Sequence, residues 1–164
     1  MHIIVMGVSG AGKTTLARSL SQRLDWLFQE GDDLHPTANV AKMRAGVPLN
    51  DADRAPWLNA IRAWMEQNLA ASKSGIASCS ALKHAYRELL RGEGMDVRFV
   101  HLAADRSVLA EHIAKRTDHY MPPSLLDSQL ATLDAPSPSE ALLIDAALPT
   151  HAQVNLVVAV LGRL

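Results

Sequence analysis

Residues 7–14, Gly7-Val8-Ser9-Gly10-Ala11-Gly12-Lys13-Thr14, fit the spacing G-x-x-x-x-G-K-[ST], and the chemistry open to that spacing is the holding of a phosphate chain. The glycines let successive backbone N–H groups turn inward around an anion, at the positive end of the helix that follows. Lys13 reaches the outer phosphates, the Thr14 hydroxyl is the candidate magnesium ligand, and Thr15 completes the nucleotide-binding set. Given glycine usage of about 7%, these fixed positions coincide by accident in roughly one chain of this length in a few hundred. Three other polar clusters carry reactive groups: Gly31-Asp32-Asp33-Leu34-His35-Pro36, Ser80-Ala81-Leu82-Lys83 and Lys115-Arg116-Thr117-Asp118-His119-Tyr120. Phosphoryl transfer needs a nucleotide cradle, a metal, a group that orients the attacking hydroxyl, and movable cations. Groups of each kind are present.

Positioning them falls to an alternation of elements. Residues 2–6, 26–29, 76–79, 97–102 and 142–144 read as strands. Residues 13–24, 37–45, 54–72, 84–92, 105–115, 124–133 and 151–162 read as helices. That order predicts a three-layer α/β/α fold of the P-loop NTPase class, with a five-stranded parallel sheet covered on both faces. In such a sheet ligands bind beyond the carboxyl ends of the strands, where the phosphate loop and the first two polar clusters fall. Pro36 suits a first helical turn, Gly46 a helix end, and Asp105 and Thr150 N-caps. Trp57, Ile61 and Trp64 recur at helical spacing and are expected to pack against the sheet.

The 164 residues suit one domain, 1–164, with 48% hydrophobic content. Sixteen Lys and Arg against 17 Asp and Glu leave a net charge of −1, which disfavours a nucleic-acid partner. The apolar run 156–161 is too short to span a bilayer, and with the phosphate loop starting at residue 7 no leader peptide is expected. A cytoplasmic protein without a membrane partner is expected, and the sequence leaves open whether it forms a homodimer. The single cysteine, Cys79, reads as a small buried strand residue.

The strings GDDLHPTANVAKMRAGVPLNDADRAPWL (31–58), CSALKHAYRELLR (79–91) and HYMPPSLLDSQLATLDAP (119–136) closely resemble the gluconokinase family. These are small P-loop kinases, similar in fold to adenylate and shikimate kinases, that pass the γ-phosphate of ATP to the 6-hydroxyl of D-gluconate. With the phosphate loop the resemblance runs from about Gly7 to Pro136, and residues 141–145 look like the family's last strand and the start of its adenine loop. It implies ATP and Mg2+ as cofactors, D-gluconate as substrate, a lid at about 116–127, and a place in sugar-acid catabolism feeding the pentose phosphate or Entner–Doudoroff routes.

Beside that resemblance, Asp32 is the candidate base, aligning a substrate hydroxyl with the γ-phosphate, while Asp33 reads as a helix cap. A sugar acid's carboxylate and row of hydroxyls need cations and groups that both donate and accept. His35, Arg54, Lys83, Arg87, His119 and Gln129 match in type and fall at positions the family's motifs mark. For Arg87 a solvated helix face beside Glu88 is an equal reading, and for Arg91 the preferred one. Lys42 reads as a helix-end cation, and Trp57 as either a pocket wall or core. Arg116, entering the lid, is the cation that meets the transferring phosphoryl group. The chain departs from the family where His112 replaces an arginine that in related kinases stacks on adenine, and where Leu130 and Asp134 replace a phenylalanine and a glutamate. A shikimate-like kinase is the nearest rival, although the glycine triplet expected after its third strand is here SALK. A nucleotide-dependent switch is the rival of another class, and it would require an apolar docking patch.

Overall fold

A computed structural model describes residues 1–114 and 125–162. Strand β1 (His2–Met6) is buried along its length, and its alternate side chains divide between two cores: Ile3 and Val5 join one, Ile4 and Met6 the other. A strand apolar on both faces belongs in the middle of a sheet covered twice. β1 accordingly lies between β3 (Gly75–Ser78) and β4 (Val97–Ala103), with Ile4 opposite both Ala77 and Phe99. The outer strands are β2 (Leu27–Glu30), paired to β3, and β5 (Ala141–Asp145), paired to β4. Among the described residues the order is β2-β3-β1-β4-β5, all parallel.

Helices α1 (Lys13–Leu24) and α7 (Thr150–Leu161) cover the first face with Leu16, Leu20, Val154 and Val157. Helices α3 (Asp51–Ala70) and α4 (His84–Arg91) cover the second with Trp57, Ile61, Met65 and Leu90. Each such large apolar side chain taken fully from water contributes about 1.5–3 kcal/mol. The other elements are a 3-10 turn (Gly31–Leu34) directly after β2, α2 (Thr37–Arg44), α5 (Arg106–Ala114) and α6 (Leu125–Thr132).

Two expectations shift. Helix α3 begins at Asp51 rather than at residue 54, because Asn50 and Asp53 form a reciprocal capping box, side chain to backbone in both directions, at 2.8 and 3.0 Å. Pro36 and Pro149 hold the cap positions of α2 and α7, so Thr150 is the first helical residue instead of the cap. Exposed apolar side chains stand at Leu143 on β5, 64% exposed, and at Leu156 and Val160 on α7. Gly46, at φ 72°, ends α2 as expected, and Trp64 packs edge-on to His2. No helix among the described residues is long and apolar enough to cross a membrane.

Candidate active site

The phosphate loop joins β1 to α1, and backbone geometry shapes it. Gly10 has φ 85°, and a Cβ there would lie 2.8 Å from the carbonyl oxygen of Leu109, so no other residue type lets the loop fold this closely against α5. Gly12, also left-handed, turns the chain into α1. Lys13 Nζ donates to the Val8 carbonyl at 3.0 Å. The Ser9 N–H donates to Gln129 Oε1 at 2.6 Å, a buried bond that ties α6 to the loop.

Beyond the loop opens a cleft. Ser9, Lys13, Thr14, Asp32, His35, Arg54 and Gln129 all line it, so seven of the expected site residues meet in one place. Met43, Leu49 and Leu125 close an apolar wall, which joins α2, the α2–α3 connection and α6.

The 3-10 turn carries Asp32 into this cleft. Gly31 packs so closely on β3 that a Cβ there would collide with the Ser78 carbonyl. Its N–H donates to Ser78 Oγ at 3.1 Å and its carbonyl accepts from Trp57 Nε1 at 2.7 Å. Asp32 is therefore held from both sides through its neighbour's backbone. Trp57 answers both of its readings, since its ring is buried in the second core and also lines the cleft.

His35 stacks on Trp57, with ring centroids 4.2 Å apart and planes at 13°. Burial pushes its pKa down to about 4, outweighing the upward pull of Asp32, so the imidazole is neutral at pH 7. Asn39 Nδ2 donates to the Asp53 carbonyl at 2.7 Å and lies 3.4 Å from His35 Nδ1. Nδ1 is then the acceptor, and the ring proton belongs on Nε2. Lys42, read from the sequence as a helix-end cation, instead pairs with Asp53 at 2.6 Å and bolts α2 to the start of α3. Asp33 is exposed, and the cap position of α2 is filled by Pro36 with no side-chain hydrogen bond.

Arg54 is 8% exposed and lines the cleft. Lys83 does not reach its lining; its ammonium contacts both Asp51 carboxylate oxygens, at 2.6 and 2.9 Å. Arg87 departs from both of its readings. It is 1% exposed, bound to Glu140 at 2.6 and 3.3 Å and to the carbonyls of Ala81 and Leu82 at 3.1 and 3.3 Å. A guanidinium so engaged neither faces solvent nor contributes to the cleft; it props the loop after β3, where Ala81 adopts a strained φ of 42°. The same ion pair holds Glu140 down to about 2. Arg91 pairs with Glu88, as expected, and Cys79 is buried, its thiol pushed up to about 12 by desolvation.

A second groove runs along the start of α1. His112 lines it together with Gly10, Gly12 and Thr15, facing the turn 146–150 that links β5 to α7. The His112 ring nitrogen Nδ1 donates to the Gly10 carbonyl at 2.9 Å. Gln153 holds the opposite bank by donating to the carbonyls of Asp145, Ala146 and Leu148. Arg116 and His119, together with the expected lid up to residue 124, lie outside the described residues. Asn39, Tyr86 and Gln153 were missed by the sequence reading. Tyr86 stood inside a quoted string, but nothing in its residue type distinguished it from a packing tyrosine.

The family described as an AAA domain matches residues 3–136. A gluconokinase from Gluconobacter oxydans is 51% identical over 141 residues, covering 86% of this chain and 79% of that protein. The crystal structure of a sugar kinase from a Janibacter species superposes with a TM-score of 0.93 at 41% identity, over 98% of this chain and 94% of that one. That of a gluconokinase from Sinorhizobium meliloti gives a TM-score of 0.86 at 43% identity, over 99% and 91%. With this likeness in sequence and fold, and with the phosphate loop and the GDDLHP carboxylate opening on one cleft, the chain belongs to the gluconokinase family.

Proposed function

We propose that the chain transfers the γ-phosphate of ATP to the 6-hydroxyl of D-gluconate. The observation that carries this reading is the meeting of Lys13 and Thr14 with Asp32, His35 and Arg54 in a single cleft, which brings a phosphate-holding group and a polyol-acid-holding group within one space. The phosphate loop at the N-terminus of α1 and the Lys13 ammonium suit a triphosphate, and the groove between His112 and residues 146–150 suits its base. The Thr14 hydroxyl, in the cleft beside Lys13, suits Mg2+, which when bound neutralises charge on the transferring phosphates.

Asp32 accepts a hydrogen bond from the attacking hydroxyl and aligns it; in a loose transition state orientation precedes deprotonation. Neutral His35, its Nδ1 turned to Asn39, offers its remaining N–H to a sugar hydroxyl. Arg54 serves the substrate carboxylate, with Lys83 at the rim. Gln129 joins α6 to the loop beside the γ-phosphate end, so its role in binding the sugar is shared with one in holding the site together. A cytoplasmic location suits a reaction that draws on ATP. Incubation with Mg-ATP and a panel of sugar acids, followed by ADP release, tests the reading: D-gluconate is expected to be the best acceptor, and equal or faster turnover of shikimate would overturn it.

A further inference from the structure

Tyr86, on the first turn of α4, is 6% exposed and sits where two cations and one carboxylate converge. Arg54 Cζ and Lys83 Nζ each lie 5.6 Å from its ring centroid, within cation–π range. Its hydroxyl accepts from Arg54 Nη1 at 3.4 Å and donates to Asp51 Oδ1. Asp51 also receives both contacts from Lys83.

The chain of bonds has a direction. Asp51 is held below the usual carboxylate range, by Lys83 first and Tyr86 second, so it is ionised at pH 7 and can only accept. The one proton of the phenol is thereby committed to Asp51, which leaves an oxygen lone pair for Arg54. Arg54 gives one corner of its five-donor fork to this oxygen and keeps its place on the cleft wall.

We propose that Tyr86 is a positioning residue of the sugar-acid site: its hydroxyl, oriented by Asp51, fixes the Arg54 guanidinium on the cleft wall, where it serves the substrate carboxylate, while Lys83 acts from outside the lining by holding Asp51. This rests on the reading of the cleft as a gluconate site. Wild-type turnover of gluconate tests that reading by itself, whereas the ratio of variant to wild type tests the positioning.

Tyr86→Phe keeps the ring under both cations and removes only the hydroxyl. The KM for gluconate is expected to rise about fivefold, with kcat lowered less than twofold and the KM for ATP unmoved. A merely structural defect would shift both KM values or lower kcat and the melting temperature together, and that result would overturn the proposal, as would an unchanged gluconate KM. Asp51→Asn, at an exposed position, supplies the second arm. In the Tyr86→Phe background its effect on gluconate KM should differ at least twofold from its effect in the wild type, because the two groups act through one bond. Independent, additive effects would show that Asp51 does not direct the phenol.

Discussion

The nucleotide half and the sugar half of this molecule are built from different materials. Around the phosphate loop the contacts come from backbone: left-handed glycines, and a loop held to α5 and α6 through the carbonyl of Gly10 and the amide of Ser9. Around the sugar cleft they come from side chains that hold one another: Asn50 with Asp53, Lys42 with Asp53, His35 on Trp57, Arg54 on Tyr86 and Tyr86 on Asp51. A backbone site tolerates most substitutions except at its glycines and its lysine, whereas a side-chain site transmits a change at one member to the rest.

The largest effect expected from this contrast is on stability. Arg87→Ala breaks a buried ion pair and frees the carbonyls of Ala81 and Leu82, and should destabilise the fold by about 3 kcal/mol at pH 7. Glu140 has its folded pKa depressed to about 2 from an ordinary 4.5. The stability it supplies is therefore present above pH 4.5 and is lost as pH falls through that value toward 2. Urea unfolding at pH 7 and at pH 3.5 should show the gap between wild type and variant narrowing in acid. A gap under about 1 kcal/mol at pH 7 would mean that the sugar half is not braced in this way.

Next in size, Lys13→Ala should slow turnover about a hundredfold or more while leaving the melting temperature unmoved, since loss of one preorganised donor costs about 3–4 kcal/mol of transition-state stabilisation. It isolates the one side chain on which the backbone-built half depends, and a mild effect would blur the contrast. Asp32→Asn keeps size and loses charge. It should lower kcat by about a hundredfold and move the gluconate KM far less; a change confined to KM would reduce Asp32 to a binding group.

The same contrast explains what the sequence made legible. Strands and helices came within a few residues of their places because β1 and its neighbours are apolar on both faces and glycines and prolines punctuate the rest. The phosphate loop was legible because backbone geometry imposes fixed spacing on glycine and lysine. In the sugar half the residue types were legible but their partners were not. Lys42 and Asp53 are eleven positions apart, Lys83 and Asp51 thirty-two, and Arg87 and Glu140 fifty-three; no local pattern records such pairings. Glu140 lies outside every string that drew attention, so nothing in the sequence indicated that Arg87 was already engaged.

The smallest expected effect lies where the two materials meet. His112 is a side chain on the backbone-built half, and its Nδ1–H is committed to the Gly10 carbonyl while its ring lines the groove proposed for the base. Two roles are thus combined in one residue: bracing the loop, and presenting a face to the purine. An arginine offers a broader planar face and a permanent charge, so if the base contact matters, His112→Arg should lower the KM for ATP severalfold, about 1 kcal/mol, with the gluconate KM nearly unchanged. The wild type should then discriminate weakly between ATP and GTP, because an imidazole already bonded on one edge has little left with which to read the base. If bracing is the whole role, His112→Arg gains nothing from stacking and loses the bond to Gly10. ATP titrations of wild type and variant then coincide or move apart in the unfavourable direction, and the nucleotide half is shown to rely on backbone to its edge.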